Sequence, residues 1–227
     1  MTKALIVLTN VEQYEKIDRA TGLWFGELTH FYDVMIRENI AVDFVSPKGG
    51  YVPLDPHSLA FMTESDWAYY KDEDFRNQAL ANSLKPSQVK ADDYDIIYYT
   101  GDHGTMWDFA DNAELAELAR SIYQKGGIIS SVCHGAAGLL AIVDQVGTPL
   151  IAGKRVAGFS NAEEAANGTS DAVPFLTQDE LIAKGGLYQE AQPFSSFVVT
   201  DGRLVTGQNP QSAAAVGLAV LDLIKKA

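Results

Sequence analysis

The chain has 227 residues, 47% hydrophobic and 21% charged, enough apolar material for one large buried core. Its formal net charge of −13 repels phosphate backbones and anionic lipid, which argues against nucleic-acid and membrane partners. A lone cysteine forms no internal disulfide, and no stretch approaches the roughly 18 apolar residues of a membrane span, so a reducing, cytoplasmic setting is expected.

The N-terminal "MTKALIVLTN" lacks a small-residue cleavage site and reads as a first strand, Lys3 to Thr9. Trp24 to Asn39 follows as a helix with Trp24, Leu28, Phe31 and Met35 on one face, and then Ala41 to Pro47 as a second strand. Gly49 to Asp93 breaks the rhythm. It is rich in Pro, Asp and aromatics, has a helical stretch near Glu64 to Asn82, and is expected to cap the sheet edge. Tyr94 to Gly101 and Gly126 to Val132 are further strands, separated by a helix capped by Asn112 and stopped by Gly126. "FSSFVVTDGRLVTGQ" reads as a hairpin around Asp201 and Gly202, and "SAAAVGLAVLDLI" (Ser212 to Ile224), interrupted by Asp222, as a buried helix. Nearly continuous apolar strands alternating with helices predict an α/β fold: a doubly wound, mostly parallel sheet with helices on both faces. With no internal repeat and no low-complexity linker, residues 1–227 read as one domain carrying a cap insertion over 49–93.

"IISSVCHGAAGLL" (Ile128 to Leu140) holds the chemistry. A β run switches at Cys133 to small and apolar residues at helical spacing, so the cysteine falls on a strand-to-helix turn at the carboxyl end of the sheet, where open α/β folds bind ligands. The bland alternative is a buried, inert thiol. Bringing a thiol from about 8.5 to about 5.5 takes roughly 4 kcal/mol, whereas a helix N-terminus contributes about 0.3–1 kcal/mol, so a reactive Cys133 needs a specific hydrogen-bond donor. The histidines are His30, His57, His103 and His134, and none lies further on, so a cysteine–histidine pair draws on His134 or an upstream one. His134 in turn needs an acceptor to fix its tautomer. Glu163 and Glu164 in "GFSNAEEAAN" are both available, and both are equally explained as first-turn acids favoured by the helix dipole. Glu27, flanked by Trp24, Phe25 and Leu28, is either a buried carboxyl held protonated beside a thiolate or a boundary glutamate reaching solvent; spacing alone favours the second.

The stretches "GLWFGEL", "VDFVSPKGG", "PLDPHSL", "YDIIYYTGDHGTMWDF", "VCHGAAGLL", "GFSNAEE" and "GRLVTGQNPQSA" span almost the whole chain. In them the chain resembles the PfpI-type superfamily of class I glutamine amidotransferase-like proteins, and within it the heat-shock chaperone/glyoxalase III branch. The resemblance implies a flavodoxin-like sheet, homodimers, and a small 2-oxoaldehyde such as methylglyoxal converted to a 2-hydroxy acid without metal or organic cofactor. Reversal of early protein glycation and chaperone activity are also described in the branch. Position by position, Cys133 matches the nucleophile, His134 its partner, Glu27 the glutamate that hydrogen-bonds the thiolate, and Glu164 the residue orienting the histidine.

One departure stands out. Gly101-Asp102-His103-Gly104 replaces the usual Gly-Gly-His-Gly, whose second residue helps form the oxyanion hole, so Gly101, Asp102 and His103 are the expected oxyanion and substrate-binding loop. An inward Asp102 carboxylate would oppose a thiolate and an oxyanion alike. That keeps two rivals in view: a cysteine amidase or peptidase, and a non-enzymatic holding chaperone or oxidant sensor in which Cys133 oxidises. Ala136, where the elbow helix often has proline, is a minor change, and Tyr14, Trp24, His103 and Trp107 are candidates either for a pocket wall or for plain core packing.

Overall fold

Strands with apolar side chains on both faces must be covered on both. The computed structural model, which describes residues 2–226, meets that demand with one six-stranded sheet. Its strands are β1 (Lys3–Val7), β2 (Ala41–Val45), β3 (Ile96–Tyr99), β4 (Ile128–Val132), β5 (Val198–Asp201) and β6 (Leu204–Gly207). They lie in the order β2-β1-β3-β4-β6-β5, parallel throughout except for the antiparallel β5–β6 hairpin. The order reverses between β1 and β3, the flavodoxin-like arrangement, which opens a crevice at the carboxyl ends of those strands.

Four helices of seven or more residues matter here: α1 (Phe25–Arg37), α2 (Ala113–Gln124), α3 (Asn161–Asn167) and α4 (Ala213–Ile224). Ala4, Ile6, Ile96 and Tyr98 face the side covered by α1 and α4, where the Phe31 ring stacks on Tyr98 with centroids 3.7 Å apart. Their alternates Leu5, Val7, Ile97 and Tyr99 face α2 and the turns after β4. Asn112 caps α2 as expected, its side chain accepting the Leu115 N–H. α1 starts at Trp24 with no side-chain cap, and the Phe25 N–H is taken by the Ser58 hydroxyl instead.

Several expectations shift in detail. The helical stretch near Glu64 to Asn82 divides into helices Glu64–Lys71 and Glu73–Arg76 and a wider turn Asn77–Ala81, because the Asp72 side chain caps the second helix where the first ends. The hairpin loop consists of Gly202 and Arg203, since Asp201 pairs with Leu204, and Gly202 takes the positive φ of +59° that the turn requires. The expected buried helix is α4, but only one side is buried: Gly217 lets it approach Val34 of α1, while Leu218 is 57% exposed. Residues 49–93 run along the edge strand, with Val45 bridged to Leu84 and Gly50 to Ser83. They also send the helix Pro56–Leu59 toward the crevice.

Packing predicts the energetics. Phe31→Ala, which empties a fully buried stack, should lower unfolding free energy in urea by about 3–5 kcal/mol. Leu218→Ala should stay within about 0.5 kcal/mol.

Candidate active site

Val132 ends β4 in an extended conformation, and Cys133 turns sharply into the left-handed region at φ +57°. A non-glycine residue there costs on the order of 1–3 kcal/mol and persists only where its surroundings impose it. They do so here. Gly135 passes so close to β3 that a Cβ would lie 2.3 Å from the Thr100 carbonyl oxygen, and the Cys133 carbonyl accepts the Phe159 N–H at 3.3 Å. The elbow continues as tight 3₁₀ turns over Cys133–Leu139 instead of the expected α-helix. The backbone N–H groups of Asp102 and His134 both point at the sulfur.

The histidines are organised by one carboxylate. His134 Nε2 lies 2.7 Å from Glu164 Oε2, and His103 Nε2 lies 2.8 Å from Glu164 Oε1, which also accepts the Thr169 hydroxyl. The other nitrogen of His103 is 3.1 Å from Asp102 Oδ1, and that of His134 is 3.4 Å from the Cys133 sulfur. Burial opposes a charge on His103, but Asp102 and Glu164 outweigh it and lift its pKa to about 9. His134 is pushed the other way by burial and by the charge on His103, so it stays neutral. Burial would raise Glu164, yet the two imidazoles hold it well below the usual carboxylate range. With Nε2–H donated to Glu164, His134 keeps a free lone pair on Nδ1, facing the thiol. Glu163, left open by the sequence, goes elsewhere: it closes the capping box of α3 with Ser160 and accepts the Phe194 N–H and the Asn209 amide.

Glu27 is fully buried, so the boundary-glutamate reading does not hold. It sits in the first turn of α1, whose inner face Tyr98 secures by donating its hydroxyl to the Glu27 carbonyl at 3.0 Å. Its Oε2 accepts the Gly101 N–H at 2.6 Å, which holds the carboxyl beside Cys133, while its Oε1 is buried without a hydrogen-bond partner among the described residues. Burial and the Asp102 charge raise its pKa well above normal, so it holds a proton. Gly101 is required: a Cβ there would lie 2.7 Å from Glu27 Oε2 and 2.9 Å from the Cys133 Cβ. Burial and the Asp102 charge also raise the Cys133 pKa, which favours the thiol form of the resting sulfur.

Asp102 does point inward. It is buried at φ +83°, and its Oδ1 accepts the His103 N–H at 2.6 Å, which withdraws that N–H from any oxyanion role and leaves those of Asp102 and His134. The thiol opens into a cavity of about 320 Å³ whose aromatic wall includes Trp24, Phe61, Phe159 and Phe194. Arg19, Asp55 and His57 also line it, and no local pattern marks them, because the loop after β1 and residues 49–93 reach the site only through tertiary packing. Of the other aromatic candidates, Tyr14 packs on His103 with centroids 5.3 Å apart, and Trp107 lies against Tyr14. His103, His134 and Glu164 present three ligand-type atoms within 4.8 Å of one another, but each already satisfies another by hydrogen bonding.

The model of the DJ-1/PfpI family matches residues 25–223. The chain belongs to that family. Among its DJ-1/PfpI relatives, the glutathione-independent glyoxalase HSP31 of Saccharomyces cerevisiae is 36% identical, with 98% of each chain covered. The solved structure of a 24 kDa rapid encystment protein from Francisella tularensis superposes with a TM-score of 0.95 at 38% identity, covering 99% of each chain. Glyoxalase III of Candida albicans gives 0.89 at 31% identity, covering 98% of this chain and 97% of that one.

The charge on His103 links the site to pH. An unfolded histidine titrates near ~6.5, so the stability drawn from the paired imidazolium is complete below that pH and is lost as pH rises to about 9. The thermal midpoint of the wild type should therefore fall across that window, and His103→Gln should flatten the fall. An equal slope in both proteins would remove His103 as its source.

Proposed function

We propose that the protein is a glutathione-independent glyoxalase that converts methylglyoxal or a related 2-oxoaldehyde to a 2-hydroxy acid such as lactate, with Cys133 as nucleophile. The observation that carries this reading is a buried thiol 3.4 Å from the His134 Nδ1 lone pair, with the buried Glu27 carboxyl beside it across Gly101. The full-length relatives named as glyoxalases support it.

The chemistry needs two proton carriers and no external oxidant. His134 Nδ1 takes the thiol proton as sulfur bonds to the aldehyde carbon, C1, and returns it to the C1 oxygen, giving a hemithioacetal. The Asp102 and His134 N–H groups stabilise the intervening oxyanion. His134 then removes the C1 hydrogen as a proton while Glu27 protonates the C2 oxygen, which forms an enediol. The imidazolium delivers its proton to C2 and the C1 hydroxyl returns one to Glu27, leaving a thioester beside a C2 hydroxyl. Water, deprotonated by His134, cleaves the thioester and regenerates the thiol. C1 is oxidised, C2 is reduced, and the net change is addition of one water. The Glu164 carboxylate keeps His134 in the tautomer this sequence requires. Assembly as a homodimer and a cytoplasmic location belong to the same proposal, the first checked by light scattering on the eluted protein.

Lactate formation from methylglyoxal without glutathione should be seen for the wild type and abolished in Cys133→Ser. Glu27→Gln keeps a donor near sulfur but cannot cycle a proton, and should lose about 10²–10⁴-fold in kcat. Lactate production that survives Cys133→Ser would sink the nucleophile assignment.

A further inference from the structure

The cavity is larger than a three-carbon aldehyde needs. At about 320 Å³ it falls at the lower end of the roughly 300–1,000 Å³ typical of pockets for drug-sized ligands. Beyond the thiol its wall holds a pair of carboxyls that the reaction described above does not use in this way. Asp55 is buried, and its Oδ1 accepts the His57 N–H at 2.7 Å. It lines the same cavity as Asp102, and burial together with the Asp102 charge raises its pKa to about 6. Asp102 Oδ2 is buried and accepts no hydrogen bond from any of the described residues. Two acids forced together at a cavity wall, one oxygen without a fixed donor, call for a donor from the ligand.

The rest of the wall narrows the choice of donor. A cationic ligand group would meet Arg19, which lines the same cavity and lies over the Tyr14 ring. Hydroxyl groups suit both, since each is donor and acceptor: they give to the Asp55–Asp102 pair and accept from Arg19 or Asn167. Trp24, His57 and Phe61 form a mutually packed aromatic cluster beside them, with centroids 5.0–5.7 Å apart, and aromatic faces suit the C–H surface of a polyol chain.

We infer that Asp55, Asp102 and Arg19 form a subsite for a hydroxylated tail, so that the preferred substrates are sugar-derived 2-oxoaldehydes that carry a polyol chain. This rests on the glyoxalase reading and extends it from the reacting carbons to the substituent. Asp55 and Arg19 act here as specificity residues, while Asp102 serves the subsite by its carboxylate and the oxyanion by its N–H.

The test compares kcat/KM for methylglyoxal, for 3-deoxyglucosone with its hydroxylated tail, and for phenylglyoxal with an apolar one. The wild type should favour 3-deoxyglucosone over methylglyoxal and phenylglyoxal. Asp55→Asn retains a capping side chain for the helix Pro56–Leu59 and so preserves the local fold. It should lower the ratio of 3-deoxyglucosone to methylglyoxal kcat/KM by about tenfold, the worth of one hydrogen bond to a charged group. Arg19→Met, on a partly exposed loop, should lower the same ratio. Turnover of methylglyoxal with no preference for the hydroxylated substrate, or a ratio unmoved in both variants, overturns the subsite and leaves the glyoxalase reading standing. Turnover of none of the three aldehydes overturns that reading and the subsite with it.

Discussion

Two imidazoles share one carboxylate, and the rest of the site depends on how that carboxylate divides its oxygens. Glu164 gives Oε2 to His134 and Oε1 to His103, while Thr169 also donates to Oε1. The ring centroids of the two histidines are 4.2 Å apart, too close in a buried space for both to be charged. His103, flanked by Asp102 as well as Glu164, takes the charge, and His134 is left neutral. A neutral His134 donating from Nε2 must present an unprotonated Nδ1, so the base that the proposed mechanism uses is made by the same contacts that settle the charge. Losing Glu164 would therefore do more than free a ring. It would strip His103 of a partner in a buried cluster, where breaking an ion pair costs about 3–5 kcal/mol.

This arrangement keeps the sulfur protonated. The elbow places two N–H donors on Cys133, but burial and the Asp102 charge outweigh them. In the mechanism proposed above, reactivity then comes from concerted removal of the thiol proton by His134 when an aldehyde arrives, with no standing thiolate. A neutral thiol is a poor target for oxidants, so the same charge balance that delays deprotonation protects the only cysteine between turnovers. Glu27 is kept neutral for the same reasons, and the Gly101 N–H on Oε2 leaves its other oxygen for the proton. The site thus holds two transferable protons beside one unshared lone pair, which is what the proposed internal redox isomerisation consumes and restores.

Much of this was legible in the residues. Nearly continuous apolar strands gave the parallel sheet, and the change of period at Cys133 gave the elbow, because both depend on local pattern. What depends on packing was not legible. Glu27 lies between apolar neighbours on a helix, and only Tyr98 and Gly101 from β3 and its loop decide that it is enclosed. Glu163 and Glu164 are adjacent first-turn acids, and the turn of α3 alone determines that one caps the helix while the other meets the histidines. In both cases spacing left the choice open or leaned the other way, and the burial of Glu27 and the bonds of Glu164 to the two histidines are tertiary facts. Asp55 and His57 reach the cavity from a segment that reads as a cap over the sheet edge with one helical stretch further on, so their arrival beside Cys133 is a purely tertiary fact.

Asp102 ties these threads together. A left-handed residue at this point of the loop aims its own N–H at the sulfur, a task glycine performs without strain and without charge. The carboxylate adds a cost: it raises the pKa of Cys133 and of Glu27 and leaves one buried oxygen without a fixed donor. Against that cost stand two gains. It is the second anion that keeps His103 charged, and through His103 it keeps His134 neutral and basic. It also meets Asp55 at the cavity wall, turning an otherwise aromatic pocket into one with paired acceptors. The aspartate therefore moves the site away from a preformed thiolate and toward a base-assisted thiol whose substrate supplies the missing hydrogen bonds. On this view the substitution in the loop changes which aldehyde is held, and the proton-transfer machinery beneath it stays intact.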